Sequence, residues 1–187
     1  MKPALIVVDM VRDTLEGDHS YPITMQARML VPVIDDLAEW MRSRGLQVVF
    51  ACDSFLDGDF IFRGRLKPHS LRGSPGSLPT TLIRRTPQDI VLEKRRFSAF
   101  FKTDLDQTLR TLGVNCVLVC GITTHVCVLA TVLDAVSNDF SAVILEDACA
   151  APSREIHQAV VDAYRNTPLA PLLRVMTCEQ AKQLMGG

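Results

Sequence analysis

Short runs rich in Val, Ile and Leu recur along this chain, and between them lie longer stretches whose apolar residues repeat at helical spacing. Apolar runs without alternation belong to strands covered on both faces, so the rhythm predicts a parallel sheet between two layers of helices. Strands are expected at Ala4 to Asp9, Gln47 to Cys52, Ile90 to Glu93, Asn115 to Cys120, Ala142 to Glu146 and Leu173 to Met176. Helices are expected at about Met25 to Arg44, Thr103 to Leu112, His125 to Ser137, Ser153 to Tyr164 and Cys178 to Met185. Gly45 and Gly113 stand where helices should stop, and Ser153 stands where one should be capped. Repeated β-α units with right-handed crossovers give a doubly wound sheet. The expected fold is therefore a three-layer α/β/α domain over residues 1–187, with a six-stranded, mostly parallel Rossmann-like sheet in the order 3-2-1-4-5-6.

Sheets of this kind place ligands beyond the carboxyl ends of their strands, at the point where the strand order reverses. Here that point lies between the ends of strands one and four, which carry Asp9 and the turn from Gly121 to Cys127. One stretch breaks the rhythm. From Asp53 to about Gln88 the chain is rich in Gly, Pro and Ser and has little periodicity. A loop of that length is usually functional, so it is expected to cover the substrate; the alternative is a loose surface excursion.

Bulk properties narrow the partners. A net charge of −1 and a charged share of 22% leave no footprint for nucleic acid or an anionic membrane, so a small molecule is the expected partner. The N-terminal MKPALIVVDM lacks the long apolar region of a signal peptide, and no stretch is apolar for long enough to span a bilayer. The six cysteines are scattered without a Cys-x-x-Cys pair, which reads as a reduced, cytoplasmic chain without structural zinc. A nucleotide-binding or interaction module on the same scaffold is the competing class. It would need a glycine-rich phosphate loop after the first strand, and MVRDTLEGD offers none.

Three side chains carry candidate chemistry. Asp9 ends its strand at the lip of the expected crevice, where a half-buried carboxylate can take and return a proton; it could instead cap the turn. Lys94, in VLEKRRFSAF, ends the third strand, where an ammonium would favour a nearby thiolate; the Lys94-Arg95-Arg96 run could equally be a solvated face. Cys127 lies in VCGITTHVCVLATVLDA, a strand, a turn and a helix start. There, unsatisfied N–H groups and the helix dipole favour thiolate and could hold an oxyanion, although a buried apolar thiol fits the context as well. His125 is a poor partner for Cys127, because positions two apart on a helix do not face each other. His69 lies in the long loop, and His19 and His157 read as surface residues.

Together, Asp9, the VLEK and Arg-Phe-Ser-Ala-Phe segment, and GITTHVCVLAT resemble the isochorismatase-like cysteine hydrolases, the similarity running from Leu5 through Glu146-Asp147 into the Ser-Arg-Glu helix. The resemblance implies an Asp-Lys-Cys triad at Asp9, Lys94 and Cys127. It also implies a non-proline cis peptide at Ile122-Thr123, which would aim the Thr123 and Cys127 amides at an oxyanion. Phe55, His69 and Phe97 become candidate substrate contacts, and a homo-oligomer, dimer or tetramer, is expected. Nicotinamidase-like members hold a metal with an Asp-x-His pair and a later His. Asp53 and His69 match two of those positions, but Phe55 stands where the pair's histidine would be, so neither a bound metal nor any other cofactor is expected. The implied reaction is cleavage of a small amide, carbamoyl or ureido C–N bond through a thioester. Vinyl-ether hydrolysis of an isochorismate-like acid is the alternative.

Overall fold

The computed structural model describes residues 1–17 and 21–186; His19 lies outside them. Among the described residues, six strands form one parallel sheet in the order β3-β2-β1-β4-β5-β6. They are β1 (Pro3–Val8), β2 (Gln47–Asp53), β3 (Ile90–Lys94), β4 (Cys116–Ile122), β5 (Ser141–Ala150) and β6 (Leu173–Met176). The principal helices are α1 (Arg12–Leu15), α2 (Thr24–Ser43), α3 (Leu105–Thr111), α4 (Leu129–Ser137), α5 (Arg154–Arg165) and α6 (Cys178–Gly186). Right-handed crossovers put α2 on one face and α3, α4 and α5 on the other. An ion pair of 2.5 Å between Lys182 and Asp36 ties α6 to α2. The unbroken apolar run of β1 is explained by its central place: Ala4 to Val8 are all buried, walled by strands on both sides and helices on both faces. No helix among the described residues is long and apolar enough to cross a membrane.

Gly45 and Gly113 end α2 and α3 in the left-handed conformation, and Ser153 caps α5 by accepting the Ile156 N–H. Three local features differ from the sequence expectation, and a fourth bears on its alternative of a loose surface loop. The short α1 was unforeseen, being only one turn with too few residues to show a period. β5 runs to Ala150, well past Glu146, because the register slips between Val119 and Gly121 and a bulge takes up the extra residues. The helix expected from His125 begins instead as a π-helical turn, Thr124–Val128. Finally, the long loop is firmly tied down. Asp13 Oδ2 accepts the Ser70 N–H at 2.6 Å, Glu16 Oε1 accepts the Thr80 hydroxyl at 2.6 Å, and Asp59 pairs with Arg95 at 2.7 Å.

Gly121 decides how closely β1 and β4 can approach beside the site. Its φ is +106°, and a Cβ there would lie 2.1 Å from the Val8 carbonyl oxygen. Replacing it with Ala combines backbone strain with a clash against main chain that cannot rotate away. Gly121→Ala should cost about 3–5 kcal/mol in a urea unfolding titration. Gly58, also left-handed but with open space around its Cα, should cost only about 1–2 kcal/mol when changed to Ala.

Candidate active site

The carboxyl ends of the four strands β3, β2, β1 and β4 bring four reactive side chains together. Asp9 follows β1 with φ +53°, its N–H bonded to Ala51 of β2 at 2.8 Å. That turn drops the carboxylate towards β2, where Oδ1 accepts the Asp53 N–H at 2.9 Å. Lys94, the last residue of β3, is completely buried, and its Nζ lies 2.8 Å from Asp9 Oδ2 and 2.5 Å from Asp53 Oδ1. It also donates to the Arg96 carbonyl at 3.2 Å. Cys127 enters from the far side of β1, on the turn after β4. Its Sγ and a carboxylate oxygen from each of Asp9 and Asp53 all lie within 4.8 Å of one another.

Two carboxylates share one ammonium here, and the imbalance shows in the proton affinity of Asp9. Burial, reinforced by the Asp53 charge and only partly opposed by Lys94, raises the Asp9 pKa to about 7. The same two carboxylates hold Lys94 firmly charged, against the pull of burial. The sequence reading expects the helix terminus and Lys94 to favour a Cys127 thiolate, and the structure corrects this. Burial is the largest influence on the thiol, Asp9 and Asp53 add to it, and the thiol is held well above its ordinary value. The resting sulfur is thus a protonated thiol within 4.8 Å of an Asp9 carboxylate oxygen, whose affinity for a proton sits near neutrality.

The turn carrying Cys127 is fixed from below. Thr131, one turn into the helix, donates its hydroxyl to the Cys127 carbonyl at 2.7 Å and accepts the Ala99 N–H at 3.0 Å, locking the Phe-Ser-Ala-Phe segment to the turn. The Thr123 carbonyl accepts from both Val126 (3.1 Å) and Val128 (3.2 Å), the second an i to i−5 bond. The Ile122-Thr123 peptide is cis, and Thr123 is half-buried.

The other residues singled out in the sequence fall as follows. Phe97 is exposed near Lys94. Phe55, expected as a substrate contact, is instead 1% exposed and packs its ring against Phe62 and His69, with centroids 5.2 and 5.3 Å away. It forms a small core inside the loop, because a phenyl ring there gains more from burial than from lining an open pocket. His69 completes that aromatic group, its Nδ1 at 2.9 Å from the Lys67 carbonyl. His157 is not a free surface residue: its Nδ1 lies 2.9 Å from the Thr124 hydroxyl. Asp53 was noted in the sequence only for its match to a metal ligand, and its bond to Lys94 was missed. The β2–β3 register pairs Asp53 with Lys94, so the signal lay in the alignment of two strand ends.

A metal does not fit this set of donors. Asp53 is engaged by Lys94, Phe55 offers no donor, and His69 is stacked among rings. The remaining group, Asp9, Asp53 and Cys127, surrounds a buried ammonium that already supplies the positive charge. A second cation there would meet that charge at close range. Two surface clefts, of about 410 Å³ by Lys2 and Arg42 and about 690 Å³ by Arg165 and Met176, include none of these four side chains, so chemistry rather than cavity size locates the site.

Residues 3–180 match the isochorismatase domain. An uncharacterised isochorismatase family protein, PncA, of Bacillus subtilis (strain 168) is 31% identical over 89% of this chain and 96% of its own. A probable inactive nicotinamidase of Arabidopsis thaliana is 31% identical over 87% of this chain and 88% of its own. Among solved structures, the N-carbamoylsarcosine amidase of Thermoplasma acidophilum superposes with a TM-score of 0.81, at 32% identity over 96% of this chain and 98% of its own.

Proposed function

Because this chain belongs to the isochorismatase family of hydrolases, we propose that it cleaves a small amide, carbamoyl or ureido C–N bond with Cys127 as nucleophile and Asp9 and Lys94 as its partners. The observation that carries the reading is the buried group in which the Cys127 thiol and the Lys94 ammonium both meet the Asp9 carboxylate. Asp9 takes the thiol proton while Lys94 stabilises the negative charge, and the sulfur attacks the substrate carbonyl carbon. The N–H groups of Thr123 and Cys127 bind the oxyanion of the tetrahedral intermediate. Asp9 then returns the proton to the leaving nitrogen, and the C–N bond breaks to leave a thioester. A water attacks that thioester, passing its proton to Asp9, and the departing sulfur recovers it. Each proton moves through one carboxylate, which suits an affinity near neutrality. The structural likeness to a carbamoylsarcosine amidase supports the C–N class. The poor fit of a metal, and a relative named as a probable inactive nicotinamidase, weigh against nicotinamide as the substrate.

The first test is a hydrolysis screen over carbamoyl amino acids, ureidoacrylate, nicotinamide and isochorismate, read by ammonia release and by loss of substrate. Turnover of isochorismate alone, with no ammonia from any amide, would reject the proposal. The pH profile adds a sign. A base that must be ionised makes kcat/KM rise about tenfold per pH unit and level off near pH 7, the pKa of Asp9. A second reading, vinyl-ether hydrolysis, rests on the same raised pKa, since a carboxyl protonated near neutrality can act as a proton donor. It calls for the opposite limb, with activity falling as pH rises through that value.

A further inference from the structure

One hydrogen bond at the nucleophile turn has no part in the steps above. Thr124 is completely buried between Thr123 and the residues leading to Cys127, and its hydroxyl lies 2.9 Å from Nδ1 of His157 on α5. A buried hydroxyl needs a partner, and in a helical turn it would usually find a carbonyl one turn back. Here Thr124 is the first residue of its turn, so the positions three and four back, Gly121 and Cys120, belong to β4 and not to the helix. The hydroxyl turns outward to α5 instead. A π turn is a poorer conformation than an α turn and is kept only where its surroundings hold it. From below, Thr131 grips the Cys127 carbonyl at 2.7 Å; from the side of α5, the His157 to Thr124 bond is the corresponding tether.

We propose that His157 is a positioning residue for catalysis, holding the Thr124 hydroxyl so that the π turn presents Cys127 to Asp9 and Lys94. With the imidazole neutral and its proton on Nε2, the Thr124 O–H donates to Nδ1. His157 is half-buried at the edge of the site and touches no reacting atom, so its effect passes entirely through Thr124. The proposal rests on Cys127 being the nucleophile, and its test uses a readout that needs no substrate.

That readout is the rate at which iodoacetamide alkylates Cys127 near neutral pH, followed by the mass of the Cys127 peptide, which separates it from the other cysteines. His157→Phe keeps the ring and removes the nitrogen; Thr124→Val removes the hydroxyl; His157→Asn restores a polar atom at the position of Nδ1. Misplacing a reacting atom by a fraction of an ångström lowers rates steeply, so His157→Phe and Thr124→Val should each slow alkylation by about tenfold or more. The double variant should be no slower than either single one, because both remove the same bond. His157→Asn should stay within about twofold of the parent, with circular dichroism and Tm of all variants confirming an intact fold. An unchanged or faster rate in His157→Phe overturns the proposal. So does a His157→Asn as slow as His157→Phe, or effects that multiply in the double variant. Separately, a Cys127→Ala protein that still hydrolyses its substrate would remove the nucleophile reading, whatever the labelling shows.

Discussion

Cys127→Ala is expected to lower hydrolysis by a factor on the order of 10⁴ to 10⁶, the range seen when a covalent nucleophile is removed from a site whose other parts remain. The fold should survive. The turn is held by backbone bonds and by Thr131 rather than by the thiol. Removing the buried thiol also lets the Asp9 affinity rise, since Cys127 is one of the influences lowering it. The measurement is a steady-state assay on the best substrate of the screen, paired with a urea titration. Activity within tenfold of the parent would show that the sulfur is dispensable and would favour direct proton donation by Asp9.

The second large effect is at Lys94. Lys94→Met keeps the volume of the side chain but leaves Asp9 and Asp53 buried, facing each other without their shared cation. Breaking a buried ion pair by removing one partner typically costs about 3–5 kcal/mol, and loss of transition-state charge stabilisation at such a site costs at least about 10²-fold in rate. The stability loss should depend on pH in a stated direction. Without the ammonium the folded-state pKa of Asp9 rises further above its unfolded value of 3.8. A group whose folded pKa is raised contributes stability below its unfolded pKa and loses it as pH rises through the folded value. The deficit of Lys94→Met relative to the parent should therefore be small at acid pH, where both carboxyls are protonated, and grow from mildly acid to neutral pH and beyond. Urea titrations across that range would show it. A deficit independent of pH would mean that packing, not charge, holds Lys94 in place.

Much of this molecule was legible before any coordinates. Strand runs such as Leu5 to Val8 must be central in a parallel sheet, because no other place buries both faces of an unbroken apolar run. The repeated β-α units point to a doubly wound sheet, and its 3-2-1-4-5-6 order brings Asp9 and the turn carrying Cys127 together. Helix ends at Gly45, Gly113 and Ser153 obey local backbone chemistry, which any short window of sequence records. The loop between β2 and β3 was less readable. Its anchors, Asp13 to Ser70 and Glu16 to Thr80, pair residues 57 and 64 positions apart, with no periodic signal to announce them.

What the sequence alone determined is therefore everything set by periodicity and by single residues: the layers, the strand order, and which side chains stand at strand ends. The tertiary structure alone decided how those side chains act on one another. That Lys94 is shared by Asp9 and Asp53, that burial outweighs the positive charge at the Cys127 thiol, and that Phe55 turns into the loop rather than the pocket all depend on distance and exclusion of water. Coulomb interactions and desolvation vary over a few ångströms, and a linear chain carries no measure of that separation until it has folded.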